Sequence, residues 1–319
     1  MHVFYSVALL LSILCGAFAS VGDFSPHYRQ CIHDCRVNLE CPSEFIDVAW
    51  SFSKCFKCRY NCMWNTVDHF VEQKWDVPQF HGKWPFIAIE FFGFGPTIQE
   101  PCSTIFSLLN LCSYVYLYNF LKKSRFVEYR HIWIGYTIVG VLAWSCSALF
   151  HARDNWITEY MDYFAACALV LYGFYASLHI TVFSSFYFRG SKSSLLTGFI
   201  LLLFYVQHIR SMLKHFDYGY NMLCCIVLSI ATSVLYLFHL LRRRHTRKIV
   251  SESDFILWKI LFYSIFCVLL EVFDFAPILW FVDAHSLFHL STIPIPLWFS
   301  KFLYVYNQEY LADQLNKKI

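Results

Sequence analysis

Two short stretches of this sequence place residues at a spacing that suits chemistry. Ser147-Ala-Leu-Phe-His151 sets a hydroxyl and an imidazole four residues apart, and His285-Ser-Leu-Phe-His289 does the same for two imidazoles. On a helix, positions i and i+4 share one face. Two histidines so spaced present nitrogens from successive turns to one point. His151, from another helix, would complete a three-histidine zinc site with an open fourth position. Zinc lowers the pKa of its bound water to about 7 and makes it a nucleophile. Asp162, in Tyr160-Met-Asp162, is the candidate to accept that water's proton or to support the ligands, and Ser147 to donate to a developing oxyanion. The other apolar-segment histidines, His179, His208, His215 and His239, read as packing or interfacial residues. Glu271 and Asp274 read as a polar boundary of their segment.

The elements that must position these groups are membrane helices. Of the 319 residues, 58% are hydrophobic and 15% charged, an apolar share well above the roughly 45–50% of soluble domains. Apolar segments follow one another over about 102–121, 132–150, 159–184, 194–209, 219–241, 254–273 and 281–305, seven in all, the fourth being the shortest. The expected fold is therefore all-α: a polytopic seven-transmembrane helix bundle (101–306) with a small disulfide-rich N-terminal lumenal segment (20–100) and a cytoplasmic tail (307–319). A formal net charge of +3 is too small to argue for nucleic acid.

Val3 to Phe18 is apolar and ends in Ala17-Phe18-Ala19, the pattern of a signal peptide over 1–19 cleaved before Ser20. Behind it come Cys31, Cys35, Cys41, Cys55, Cys58 and Cys62. An even set of close cysteines after a secretory signal reads as a disulfide framework in an oxidising lumen, with 15 connectivities open. Cys55-x-x-Cys58 lacks the partners that a redox or zinc motif needs. Orientation follows from charge, because short Lys/Arg-rich loops stay cytoplasmic. A lumenal N-terminus puts Lys122, Lys123, Arg125 and Arg130, then Arg189 and Lys192, then Arg242, Arg243, Arg244, Arg247 and Lys248 on the cytoplasmic side. The opposite loops carry only Arg153, Arg210 and Lys214. In that topology Ser147, His151, Asp162, His285 and His289 all lie at one, lumenal, level of the bundle. Ionisable groups at membrane depth cost about 2.5–3.5 kcal/mol each on insertion scales, so such a concentration argues for function.

Ser147-x-x-x-His151, Asp162 eleven residues on, and His285-x-x-x-His289 in the last span resemble the signature of the CREST superfamily, which includes alkaline ceramidases, adiponectin and progestin receptors and acyl-remodelling proteins of GPI anchors. The signal peptide, the Cys31–Cys62 cluster, Lys83-Trp-Pro-Phe86, Gly95-Pro-Thr-Ile-Gln-Glu-Pro101 and Phe150-His-Ala-Arg-Asp154 look like the GPI-specific phospholipase A2-like family over essentially the whole mature chain. That resemblance implies a zinc-dependent phospholipase A2 of GPI remodelling in the Golgi membrane, removing the sn-2 acyl chain from GPI-anchored proteins. It also implies His151, His285 and His289 as zinc ligands, with Asp162 and Ser147 as catalytic acid/base and oxyanion partner. Members typically carry N-glycosylation sites, whereas this chain has no Asn-x-Ser/Thr.

Two other readings share these residues. The same metal centre suits a ceramidase-like amidase, although those relatives generally lack a cysteine-rich segment. Seven spans also suit a receptor or a non-catalytic chaperone of GPI proteins, but adiponectin receptors have a cytosolic N-terminus.

Overall fold

The computed structural model describes residues 20–41, 54–90, 97–124, 127–183, 191–247 and 250–316. The expected signal peptide lies outside these residues, as do Arg125, Arg189, Lys248, Lys317 and Lys318. The chain is all-α, apart from a two-stranded antiparallel ribbon of β1 (Ile89–Glu90) and β2 (Thr97–Ile98).

Among the described residues three helices precede the bundle: α1 (Val21–Phe24), α2 (Pro26–Leu39) and α3 (Lys54–Glu72). Cys31 and Cys35, one turn apart on α2, face Cys62 and Cys58, one turn apart on the antiparallel α3. The nested third bridge, Cys41–Cys55, ties the ends nearest the connecting segment. One of the fifteen connectivities is thus selected by helix geometry. Tyr28, Ile32, Val67 and Phe80 make the small core of this unit. So little apolar burial leaves a domain marginal on its own, and disulfides commonly supply the remainder.

The bundle consists of α4 (Pro101–Lys123), α5 (Arg130–Ala152), α6 (Trp156–Thr181), α7 (Ser191–Lys214), α8 (Tyr218–Arg247), α9 (Glu252–Val272), α10 (Ala284–Thr292) and α11 (Pro294–Asn316). Among the described residues the six helices α4 to α9 are long and apolar enough to cross a membrane, and they match the first six expected segments. The seventh expected span, over 281–305, is interrupted rather than continuous. The chain there is two helices meeting at Ile293. Pro294 and Pro296 have no N–H to continue the ladder, and Pro294 instead opens α11 at its first position. Helix α11 then runs on to Asn316, through most of the expected tail.

The helices close a ring in the order α4, α5, α6, α8, α9, then α10 and α11 back against α4, with α7 outside it on α6. The bundle is inverted relative to a soluble one. Helix α4 buries Ser103, Ser107, Asn110 and Ser113 and exposes Ile105, Leu108, Leu109 and Tyr116. Small and hydroxylated residues let backbones approach where lipid removes the hydrophobic drive for helices to associate. Gly140 on α5 takes the ring of Tyr114 from α4 where any Cβ would clash.

The two ends of the ring differ. At the end that carries Lys122, Arg130 and Arg243, Leu117, Leu121, Trp133, Ile180, Leu240, Leu257 and Phe302 form an apolar core. There the Arg243 guanidinium joins three helices, 2.7 Å from Asp254 and 2.6 Å from Glu309. The apolar core leaves the opposite end, beneath α2 and α3, to polar side chains.

Non-reducing peptide mapping of the full chain is expected to return the pairs 31–62, 35–58 and 41–55. Recovery of Cys31–Cys58 or Cys35–Cys62 instead would contradict the register of the two helices.

Candidate metal centre

The centre begins with how the segments around it end. Helix α5 stops at Ala152, and its last carbonyls, which have no partner within a helix, need donors. The two residues after β2 supply them: Gln99 N–H donates to Ala152 O and Glu100 N–H to His151 O, each at 3.0 Å. That pairing lays the Glu100 carboxylate against His151, whose Nδ1 lies 2.7 Å from Glu100 Oε2. Asn155 then caps α6 by accepting from the N–H groups of Ile157 and Thr158, which starts the helix that carries Asp162.

Helix α10 starts with a capping box in which Asp283 accepts from Ser286 N–H at 2.8 Å while its own N–H donates to Ser286 Oγ. The cap puts His285 and His289 on successive turns facing His151. The His285 Nδ1 lies 2.8 Å from Glu271 Oε2, at the end of α9. Ser107 Oγ is 2.8 Å from His289 Nδ1, and Asn110 donates to His289 O at 2.7 Å. The edge of Trp144 stands against His289.

These partners assign the tautomers. A carboxylate only accepts, so His151 and His285 each donate from Nδ1 and keep a lone pair on Nε2. Ser107 donates its hydroxyl hydrogen to Ser103 O and therefore accepts from His289 Nδ1, which leaves Nε2 of His289 as a lone pair as well. Three lone pairs then converge. Nε2 of His151 and of His285 are 3.4 Å apart, and one nitrogen from each of the three rings falls within 4.8 Å of the others. His151 and His289 are nearly fully buried. Neutral nitrogens gathered without a donor repel one another, and a cation removes the conflict. Nitrogens about 2.0–2.1 Å from a shared tetrahedral ion stand roughly 3.4 Å apart, so the residues present fit a metal, with carboxylates orienting the ligands from behind. Cys31, Cys35 and Cys62 also lie close together, but all three are in disulfides and offer no thiolate.

The sequence-predicted residues fall as follows. His151, His285 and His289 come together. Asp162, on the second turn of α6, lies in the electrostatic field of His151, His285 and Glu271. Among the described residues it is not hydrogen-bonded to any of the three histidines, unlike Glu100 and Glu271. Ser147 Oγ is 3.1 Å from Ser107 Oγ. Because Ser107 has already committed its hydrogen, Ser147 is the donor, and it reaches His289 through Ser107. His179 and His208 sit elsewhere, bonded to Ser194 and Asn221.

Sequence reasoning missed Glu100 and Ser107 and misread Glu271. The bland reading of Glu271 as a boundary residue is corrected by its bond to His285. Ser107 was legible in principle, since Ser103, Ser107 and Asn110 form a stripe at helical spacing on an otherwise apolar segment. Asp274, the other expected boundary residue, accepts from Gln79 and from the Trp84 indole, fastening the disulfide-stapled unit over this end of the bundle.

Residues 46–305 match the model of the Per1-like family. The chain belongs to that family. Among curated relatives, the mouse protein named GPI-specific phospholipase A2-like PGAP3 is 35% identical over 320 residues, covering 92% of both chains. The human protein of the same name is 33% identical over 93% of each. The PER1 homolog of Schizosaccharomyces pombe is 31% identical, over 89% of this chain and 86% of its own. No solved structure matches. The match to the Per1-like family spans every residue of the histidine centre and its carboxylate partners.

Glu271→Gln keeps the shape of its side chain while weakening its grip on His285. It is expected to lower divalent-metal affinity about 10–100-fold, read by competition with a chromogenic chelator. Unchanged affinity would contradict the orienting role.

Proposed function

We propose that this chain is a zinc-dependent lipid hydrolase of GPI-anchor remodelling that removes the sn-2 acyl chain from GPI-anchored proteins, a phospholipase A2 reaction. The observation that carries the proposal is the gathering of a ring nitrogen from each of His151, His285 and His289 within 4.8 Å of one another, with two carboxylates behind them, at one end of a bundle whose helices are long and apolar enough to cross a membrane. The relatives' printed names supply the substrate class.

His151, His285 and His289 would hold the ion. Zinc bound there supplies Lewis acidity and brings the pKa of water toward neutrality. Glu100 and Glu271 hold two of the rings in register, and Ser107 holds the third. Asp162, the acid left uncommitted by the histidines, takes a proton from the attacking water as oxygen adds to the ester carbonyl carbon. It returns that proton to the glycerol oxygen as the carbon–oxygen bond breaks, giving a free fatty acid and a lyso-lipid. Ser147 turns its hydroxyl from Ser107 toward the carbonyl oxygen as negative charge grows there.

The depth of the site suits an ester just below the headgroups. Three disulfides suit an oxidising compartment, which supports the reading that the end bearing them is lumenal and the arginine-rich end cytoplasmic. That is the leaflet in which GPI-anchored proteins reside, and a Golgi membrane is the expected location.

Purified protein given a diacyl GPI is expected to release the sn-2 fatty acid, detected with the lyso product by mass spectrometry. A zinc chelator should stop the release, and Asp162→Ala should slow it about 10²–10⁴-fold. Release from ceramide and not from GPI would point to the amidase instead, and release that persists in Asp162→Ala would remove that residue from the chemistry.

A further inference from the structure

Between the disulfide-stapled unit and the bundle lies a cavity of about 240 Å³ that adjoins the histidine centre through Glu100. Its aromatic walls include Tyr60 from α3, Trp84 from the segment before β1, and Trp156 from the first turn of α6. The Trp156 side chain is 55% exposed, so its ring is open to a ligand. Arg59, Lys83, Asp154 and Glu100 add charged groups in matched numbers, two of each sign. Burial works to lower the pKa of Lys83, but the Asp154 and Glu100 carboxylates outweigh it and hold the ammonium above the ordinary lysine range. The positive charges are thus balanced within the wall, which makes the cavity a poor trap for a bare anion. Flat rings beside paired donors and acceptors instead suit a polyol, whose C–H faces stack on aromatics while its hydroxyls both give and accept hydrogen bonds.

The cavity is held open by the fold. Lys83 reaches Asp154 at 2.5 Å and lies 4.1 Å over the Phe150 ring, so the stapled unit is tied to the end of α5. The Trp84 indole is fixed to Asp274 at 2.5 Å, and the Tyr60 hydroxyl accepts from Ala88 N–H. Glu100 belongs both to the cavity wall and, through its bond to His151, to the metal centre.

We propose that this cavity receives the sugar headgroup of the lipid substrate, so that the ester enters the histidine centre from the side of Glu100. The place given to the ester rests on the hydrolase reading; the binding of a sugar does not. The stapled unit is then a headgroup-reading element.

The test uses the full chain in detergent and soluble glucosaminyl-inositol phosphate as the probe, read by saturation-transfer NMR. The wild type is expected to bind it, with inorganic phosphate failing to compete. Trp156→Ala should weaken binding about tenfold, the loss of one stacking ring, and Trp156→Tyr should restore most of it. No saturation transfer, displacement by phosphate alone, or wild-type binding by Trp156→Ala would overturn the proposal. Because the readout needs no turnover, the two readings fail separately. Sugar binding without any fatty-acid release counts against the hydrolase, whereas fatty-acid release without sugar binding counts against the cavity.

Discussion

Glu100 joins two parts of the molecule that have little else in common. Its backbone N–H completes the end of α5 and its carboxylate fixes the imidazole that α5 delivers, so one residue both terminates a membrane helix and orients His151. Pro101 follows at the first position of α4, which begins the helix whose Ser107 fixes a second imidazole. The third is held by Glu271, which reaches it from the end of α9. Each ring therefore spends Nδ1 outward and keeps Nε2 inward. Unsatisfied polar groups in hydrocarbon cost several kcal/mol apiece, so the outward bonds stabilise the fold and define the chemistry together.

The division of the bundle follows from that requirement. A cluster of imidazoles and carboxylates gives little cohesion of its own, and the aliphatic and aromatic packing is gathered at the opposite end, where Arg243 also bridges α8, α9 and α11. The end with the site is closed instead by the disulfide-stapled unit, through Asp274, Lys83 and a T-shaped contact of Trp64 with Trp280. Stability is thus concentrated away from the histidine cluster, and the cover over that end is held mainly by polar and aromatic contacts.

Much of this was legible in the sequence because membrane helices and i, i+4 pairs leave strong local signals. Six apolar runs became six helices, and His151, His285 and His289 met as their spacing implied. What was not legible depends on contacts distant in the chain. Glu271 sits at the end of an apolar run and is 14 residues from His285 in sequence, so nothing local separates a carboxylate bonded to His285 from a boundary charge. Glu100 is hidden in a loop that reads only as a helix breaker, 51 residues from His151. The cysteine pairing needed the antiparallel register of α2 and α3. The break at Pro294 was visible in Ile293-Pro-Ile-Pro296, but hydropathy stays high through it and masks the stop.

X-ray absorption at the zinc edge of the purified, metal-replete protein tests the centre most directly, because it reads ligand type and number without assuming a substrate. Three imidazole nitrogens and one further light atom at about 2.0–2.1 Å are expected, with an imidazole lost in His289→Ala. Sulfur ligands near 2.3 Å, or a spectrum unaltered by His289→Ala, would place the metal elsewhere and contradict a hydrolytic centre built on His151, His285 and His289.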